Sequence, residues 1–290
     1  MSRSEGLDLN NIDKTSAEEV DDALIHVWSW RGPLYEMYAT SLQLDYAPDF
    51  GKISRWASDI FGRPAGERAV VLQSCQNIHS YMMLGWETGI RNEFETLRRN
   101  GMSKEQVLEL VMFTQLYAGM RGLGHVYHAV GDFLPMFGPP EREALFPEGW
   151  APDQDAFKAG LDLSTRELTA QDAANITDWY ERTIGYVPNS ITFGIKYNPK
   201  FIKLNRARWE RTLKTVPKQL APYLMLRHHT ITQSVDGLKE SALLGKAWGL
   251  TPDLTVRAVT NTAMYFTGIE GLYAAYEALD PILENWDVSE

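Results

Sequence analysis

The sequence predicts an all-α fold, on three observations: helix-boundary signals recur along the chain, strand patterns are nearly absent, and one set of helix-bearing motifs occurs twice. Apolar residues return at spacings of three and four, which places them on one face of a helix. Hydrophobic residues make up 44% and charged residues 23% of the 290 positions, so the chain has enough apolar material for a large core.

Residue types that favour helix ends mark where several helices begin. The segment Ser103–Gln106 is a capping box, in which each end of the segment can satisfy a free backbone N–H of the other. The segment Thr251–Asp253 offers an N-cap followed by proline, which is favoured at the first helical position. A third start is predicted at Thr169–Asp172. The proline- and glycine-rich stretch Phe133–Pro152 is predicted to be a connector.

Four short motifs occur twice in the same order. The segment Tyr46–Arg55 matches Tyr197–Arg206 at five identical positions and one Ile/Leu exchange. The other matches pair Thr88–Arg91 with Asp236–Lys239, Gly101–Ser103 with Gly249–Thr251, and Tyr117–Leu123 with Phe266–Leu272. A period of about 150 residues is too long for a solenoid repeat. Coincidence between two sets of amphipathic helices is the alternative to duplication.

Duplication predicts two helical repeats related by a pseudo-twofold axis. The first repeat, with an N-terminal extension, takes residues 1–150, and the second takes residues 151–290. Each contains a Tyr-x-Pro-x-Phe turn, a long helix, a Gly-Leu/Met-Ser/Thr junction and a Gly-x-x-Gly-Leu helix. In this order of features, residues 35–131 and 185–280 resemble the carboxymuconolactone decarboxylase and alkylhydroperoxidase D-like superfamily. The resemblance implies a homo-oligomer, with a trimer or dimer expected for a duplicated chain.

The peroxidase branch of that superfamily carries Cys-x-x-Cys-x-x-x-His on the long helix. The corresponding positions hold none of these residues; they fall near Trp86, Gly89, Glu93, Ser234, Gly237 and Ser241. Cys75 is the only cysteine, lies outside the motif and excludes an internal disulfide. We expect a buried structural thiol. A peroxidase-related redox protein that uses Cys75 stays open as an alternative.

The decarboxylase branch implies a cofactor-independent carbon–carbon lyase, or an isomerase or hydrolase, acting on a small carboxylated or lactone-type compound, including aromatic-derived ones. Such chemistry needs a cation to hold a carboxylate and a group that moves a proton. Tyr117, Arg121, His125 and His128 have the spacing of one helical face. We predict His125 or His128 as the acid/base, with Arg121 and Tyr117 binding the substrate.

The same stripe has a second interpretation as a solvated or subunit-facing surface. At the matching positions of the second repeat stand Glu270, Ala274 and Glu277. One repeat can therefore be catalytic and the other structural, or the basic and acidic stripes can pair across the pseudo-twofold axis.

The long helix of the first repeat supplies further candidates. His79 and Glu87 are predicted as secondary polar catalytic groups, and Trp86, seven residues after His79, as an apolar pocket wall on the same face. Glu87 and Arg91 also have the spacing of an ordinary surface ion pair.

In the second repeat, His228, His229 and Lys239 are the substrate-binding candidates. Adjacent side chains on a helix point about 100° apart, so at most one of the two histidines is expected to enter a given site. The other is expected to be capped or exposed.

Several classes of ligand are not expected. His125, His128 and Asp132 have a spacing that can ligate a metal, but nothing else converges on them, so we predict neither a metal nor a cofactor. A net charge of −10 gives no attraction to nucleic acid or an acidic membrane. The polar N-terminus is unlike a signal peptide, no apolar run is long enough to span a bilayer, and a cytoplasmic protein is expected. A non-catalytic binding or assembly protein remains the third alternative.

Overall fold

The computed structural model describes residues 46–55 and 68–286, together with Asp8, Asn11, Ser16, Glu18, Glu19, Asp22 and Gln43. Throughout this part of the chain the secondary structure is helical, which confirms the all-α prediction. The first helices are α1 (Pro48–Arg55), α2 (Arg68–Leu84), α3 (Glu87–Arg99), α4 (Lys104–Val130), α5 (Ala170–Ile184) and α6 (Asn189–Tyr197). The remaining ones are α7 (Pro199–Trp209), α8 (Leu220–Ile231), α9 (Val235–Trp248), α10 (Pro252–Thr262) and α11 (Gly271–Leu283).

Helix boundaries follow the sequence signals closely. Helix α5 begins at the predicted start, where Thr169 and Asp172 form a capping box in which each side chain accepts the other's backbone N–H. Thr251 caps α10, and Pro252 takes its first position. The predicted connector is confirmed, since no α-helix lies between Val130 and Ala170 and two short 3₁₀ turns interrupt that stretch. None of the helices in the described residues combines the length and apolarity needed to cross a membrane.

The chain divides into two compact units. Unit 1 comprises Met1–Ile78, Trp86–Lys104 and Val126–Pro147, and unit 2 comprises His79–Gly85, Glu105–His125 and Glu148–Glu290. The predicted boundary near residue 150 concerns the sequence repeat and remains a prediction.

Unit 1 has its described core around α3. Phe94 is fully buried on this helix, and its ring meets the ring of Phe137 at 6.3 Å between centroids. Arg98 donates to both Glu95 and Glu141, which fastens the connector to the end of α3. The helix ends at Arg99, and Asn100 is its C-cap.

Unit 2 is built around α8, which is buried along most of its length. Helix α8 packs against α9 and α10, and α9 packs against α11. Trp179, Trp209 and Trp248 form an aromatic cluster with Phe157. The guanidinium carbon of Arg206 lies 4.0 Å from the centroid of the Trp179 ring. Helices α5, α7 and α9 are therefore joined through one aromatic cluster.

Backbone conformation recurs between the two sequence repeats. Among the residues with positive φ, three in the first repeat correspond to three in the second: Gly85, Gly101 and Gly119 to Gln233, Gly249 and Gly268. Gly119 (φ 64°, ψ −162°) and Gly268 (φ 66°, ψ −172°) even share a rare backbone conformation. This recurrence favours the predicted duplication, which remains a prediction.

Candidate active site

A cavity of about 190 Å³ lies in unit 2 among helices α4 to α9. Its apolar walls come from three isoleucines, a methionine and Trp209. Its polar groups come from Tyr117, Tyr180, Ser190, Asn205, Arg206, His229 and Glu240. An apolar cavity with a few convergent polar groups is the usual form of a small-molecule site.

Glu240, on α9, is the acidic group of the cavity. Burial raises the pKa of its carboxyl from 4.5 to about 7, against the opposing effects of a hydrogen bond from Tyr180 and the charge of Arg206. A carboxyl with this pKa exists in both protonation states near neutral pH, which suits a group that gives and takes a proton.

Tyr180 and Arg206 lie beside this carboxyl. Burial and then the nearby Glu240 raise the pKa of the Tyr180 hydroxyl, so Tyr180 stays a hydrogen-bond donor. Arg206 donates to Glu210 at 3.0 Å and to the Phe157 carbonyl, and both Arg206 and Glu210 are buried. Glu210 therefore balances the charge of Arg206, and the guanidinium forms a fixed polar wall.

A cluster of three histidines and one tyrosine adjoins the cavity, and we call it the imidazole cluster: His79, Tyr117, His228 and His229. The ring of Tyr117 lies 4.7 Å from His228, 5.7 Å from His79 and 6.2 Å from His229, between centroids. The His228 ring is 5.5 Å from His79 and 4.9 Å from His229. Tyr117 and His229 belong to both the cluster and the cavity lining.

All three histidines of the cluster are held neutral. Burial lowers the pKa of His228 to about 4, and burial with the neighbouring His228 lowers that of His229 to about 3. The pKa of His79 is lowered well below its ordinary value, by burial first and then by His228, Arg227 and His229. A neutral imidazole carries one N–H donor and one free acceptor nitrogen.

Two imidazole nitrogens in the cluster have no hydrogen-bond partner among the described residues. They are Nε2 of the fully buried His79 and Nδ1 of His229. The other nitrogen of His79, Nδ1, is 3.1 Å from the Thr114 hydroxyl. Buried polar atoms are rarely left without a partner, so His229, which lines the cavity, is suited to contact with a bound molecule.

The structure brings together four of the predicted site residues, His79, Tyr117, His228 and His229. Of the two adjacent histidines of α8, only His229 lines the cavity, in line with the expectation that at most one would enter a given site, while His228 belongs to the cluster beside it. Their rings stand at 84° to each other, so the two can flank Tyr117 from different directions.

The predicted single face of Tyr117, Arg121, His125 and His128 is interrupted after Tyr117, whereas the other three residues follow on one continuous stretch of helix. Gly119 has non-helical backbone angles inside α4. The regular helical spacing is therefore interrupted between Tyr117 and the residues after Gly119. Arg121 and His128 are exposed. His125 is half-buried, and its ring lies against Gly85. A Cβ added to Gly85 would lie 2.8 Å from Nε2 of His125.

The predicted shared face of His79 and Trp86 was wrong. Helix α2 ends at Leu84, and Trp86 is the N-cap of α3. Glu87 is half-buried in the first turn of α3. Lys239 is exposed on α9, and its Nζ lies 4.8 Å from the centroid of the Tyr186 ring.

Sequence reasoning missed Tyr180, Arg206 and Glu240. Glu240 directly follows the candidate Lys239, and Arg206 closes the repeated motif Tyr197–Arg206. Both residues lie next to or within segments that the sequence singled out. Their burial could not be predicted, because the sequence does not distinguish a buried carboxyl group from an exposed one.

Cys75 is fully buried in unit 1, with its sulfur 3.8 Å from that of Met102. Burial and then the charge of Glu93 raise the pKa of the thiol, which opposes formation of the reactive thiolate. No group of three or more His, Cys, Asp or Glu side chains among the described residues is arranged to hold a metal ion.

Comparison of the chain with protein-family models, with curated proteins and with solved structures gives no match.

Proposed function

We propose that the chain is an acid–base enzyme, of the carbon–carbon lyase, isomerase or hydrolase type, acting on a small cyclic lactone or carboxylic acid. The observation that carries the proposal is the position of Glu240: a half-buried carboxyl with a pKa of about 7 that lines a cavity beside two tyrosines and a histidine. The resemblance to the carboxymuconolactone decarboxylase and alkylhydroperoxidase D-like superfamily, without its thiol motif, belongs to the same proposal.

The size of the cavity restricts the substrate. A cavity of about 150 Å³ in another protein holds benzene, so about 190 Å³ suits one ring with a small substituent. Isoleucine and tryptophan side chains favour the apolar body of such a ring. The hydroxyl, amide and imidazole groups of Tyr117, Asn205 and His229 are donors that suit a carbonyl or carboxylate oxygen.

Proton transfer is assigned to Glu240. In its ionised form the carboxylate removes a proton from a carbon next to the substrate carbonyl, and in its protonated form it returns one. The negative charge that develops on the carbonyl oxygen is stabilised by a hydroxyl donor, Tyr117 or Tyr180, in a site with little water. Neutral His229 can accept or donate one further hydrogen bond without adding charge.

This assignment differs from the one that the sequence favoured. Arg121 and His128 are exposed and lie outside the cavity lining, so the roles of acid/base and substrate anchor pass to Glu240 and to the hydroxyl and guanidinium groups around it. The lone thiol fits a reducing compartment, and we place the activity in the cytoplasm.

The test measures exchange of carbon-bound protons for deuterium, by NMR, in a panel of single-ring lactones and cyclic keto acids. Exchange catalysed by the wild-type protein is expected to depend on a group with an apparent pKa near 7. Glu240→Gln is expected to reduce exchange by at least two orders of magnitude. Glu181→Gln, which removes an exposed carboxyl of α5, is the matched control and should leave it unchanged.

Thermal-shift binding of the same panel separates the alternatives. Binding without exchange at any pH would contradict an enzyme and assign the chain to non-catalytic binding. Exchange that survives in Glu240→Gln would remove Glu240 from the reaction.

A further inference from the structure

Helix α7 buries charged side chains and exposes apolar ones. Lys203 and Arg206 are buried, and each pairs with a buried carboxylate. Phe201 and Leu204 instead face solvent, at 55% and 57% exposure. A surface helix of a globular protein usually has the reverse arrangement, with its apolar residues toward the core.

Helix α6 adds two exposed aromatic residues beside α7. Phe193 is 65% and Tyr197 62% exposed, and their ring centroids are 4.9 Å apart. The two helices pack closely, since a Cβ added to Gly194 would lie 2.3 Å from Cδ1 of Ile202. We give the name α6–α7 face to the exposed residues of these helices and of the turn after α7, which are Phe193, Lys196, Tyr197, Lys200, Phe201, Leu204, Arg208, Arg211 and Lys214.

The outward direction of these apolar residues is fixed by the other side of α7. Ile202, Arg206 and Trp209 line the cavity, so α7 cannot rotate to bury Phe201 and Leu204 without dismantling the cavity wall. The four exposed apolar side chains of the face present on the order of 400 Å² of surface. Apolar patches of this size on a protein surface are often functional.

Positive charge is concentrated in the same segment. Residues 189–218 contain eight lysines and arginines, one glutamate and no aspartate, in a chain whose net charge is −10. Of the five cations of the face, only Lys200 forms an ion pair within the described part of the chain, with the exposed Glu167. Salt screens exposed charges that are more than about 8 Å apart. Acidic residues elsewhere on the chain therefore offset this local charge only weakly.

The first repeat separates the two properties of the face. At the matching positions of α1 and the residue pair before it, Tyr46, Phe50 and Ile53 are also exposed, at 82%, 62% and 46%. The outward apolar residues therefore belong to the repeated motif. The positive charge does not, because Asp49 stands where the second repeat has Lys200.

We propose that the α6–α7 face binds the surface of an anionic membrane. Its aromatic and aliphatic side chains enter the boundary between headgroups and acyl chains, and its lysines and arginines contact the anionic headgroups. The net charge predicts no such attraction, but it averages over a chain whose cations are concentrated on this face. The helices lie on the membrane, and none in the described residues is suited to cross it.

Two other occupants fit the face less well. A nucleic acid would match the cations and the aromatic rings, but Leu204 has no ring on which a base can stack. A second copy docked through the same face would set five cations against five cations, which opposes association.

The experiment measures sedimentation of the full chain with vesicles of phosphatidylcholine, prepared with and without phosphatidylserine. The chain is expected to sediment with the vesicles that contain phosphatidylserine, and less so as salt is added. It should stay in solution with phosphatidylcholine alone. On the anionic vesicles, amide hydrogen exchange should slow in residues 189–214.

Two double variants test the apolar and the charged part of the face separately. Phe201→Ser with Leu204→Ser removes apolar surface, and Arg208→Glu with Arg211→Glu reverses two charges. Each is expected to weaken binding to the anionic vesicles by about tenfold or more.

The chain offers a matched control for each variant. Phe50→Ser with Ile53→Ser changes the same motif positions in α1. Arg182→Glu with Lys246→Glu reverses two exposed charges on α5 and α9. Both controls should bind like the wild-type chain, and far-UV circular dichroism checks that every variant keeps its helical content.

Three results would overturn the proposal. One is a wild-type chain that stays in solution with the anionic vesicles at low salt. Another is binding that both α7 variants retain, or that the controls lose equally. The third is binding of a single-stranded polynucleotide without binding of vesicles, which would assign the face to nucleic acid.

Discussion

The imidazole of His229 occupies the space that a side chain at Gly237 would need. A Cβ added to Gly237 would lie 2.2 Å from Nδ1, 2.4 Å from Cγ and 2.5 Å from Cε1 of that ring. Gly237 is in the first turn of α9, and its backbone N–H donates to the capping Ser234 hydroxyl. The ring therefore lies flat on the start of the helix that carries Glu240.

Gly237→Ala is expected to displace His229. In an unhindered helix this change stabilises by up to about 1 kcal/mol, but overlap with three ring atoms is expected to cost about 1–3 kcal/mol instead. Urea denaturation measures the difference. The control is Gly124→Ala in α4, where an added Cβ would meet nothing within 4 Å. A Gly237→Ala variant as stable as the control would contradict the observed ring position.

The raised pKa of Glu240 predicts that its ionisation destabilises the fold. The folded protein keeps a proton that the unfolded chain releases between pH 4.5 and about 7, so the free energy of unfolding falls as the pH rises through this range. Relative to Glu240→Gln, which cannot ionise, the wild-type protein should lose about 3 kcal/mol between these limits and nothing further above them.

Denaturation of both proteins at a series of pH values checks this prediction. Glu181→Gln controls for the loss of one carboxyl from the molecule. A constant stability difference between wild type and Glu240→Gln across pH 4.5 to 7 would show that Glu240 is not held protonated.

The lowered pKa of His229 predicts the opposite slope. The unfolded chain takes up a proton below pH 6.5 that the folded protein accepts only near pH 3, so stability is lost as the pH falls through that interval. His229→Asn should remove this contribution, which is on the order of 5 kcal/mol. The measurement is acid denaturation followed by circular dichroism, with the exposed His128→Asn as control. Equal acid sensitivity of wild type and His229→Asn would contradict it.

Cys75 is predicted to be unreactive in the folded protein. Since the thiol is fully buried and its pKa is raised, a thiol reagent should modify it only as fast as the surrounding structure opens, and denaturant should accelerate the reaction by orders of magnitude. Cys75→Ala should cost about 1 kcal/mol of stability. Loss of a peroxidase activity in a folded Cys75→Ala variant would instead support the thiol-dependent alternative.

Much of the fold could be predicted from the sequence because helix ends depend on local chemistry. Thr169 and Thr251 cap helices through hydroxyl groups that reach a backbone N–H three residues away, and such contacts can be read from neighbouring letters. The break at Gly119 could not, because glycine within a helical pattern is also typical of close helix packing. That one position separates Tyr117 from the face that Arg121, His125 and His128 were predicted to share with it.

Part of the candidate site could also be predicted from the sequence, because some of its residues are recognisable by type alone. Histidine and tyrosine are candidate site residues because of their side-chain chemistry, so the sequence identifies His79, Tyr117, His228 and His229. That these residues meet depends on the packing of α2, α4 and α8, which the sequence does not show. The role of Glu240 depends on burial between α5, α7 and α9, which no local pattern records. Its neighbour Lys239, which the sequence also identified as a candidate, does not line the cavity and contacts the ring of Tyr186.

The break at Gly119 divides one helix between a cavity wall and an exposed surface. Tyr117, just before it, lines the cavity, whereas Met120 and Arg121, just after it, face solvent. Because the regular helix is interrupted at Gly119 between them, substitutions on the outer segment need not turn the tyrosine ring. The cavity wall and the outer surface can therefore vary separately in this protein, although a single helix carries both.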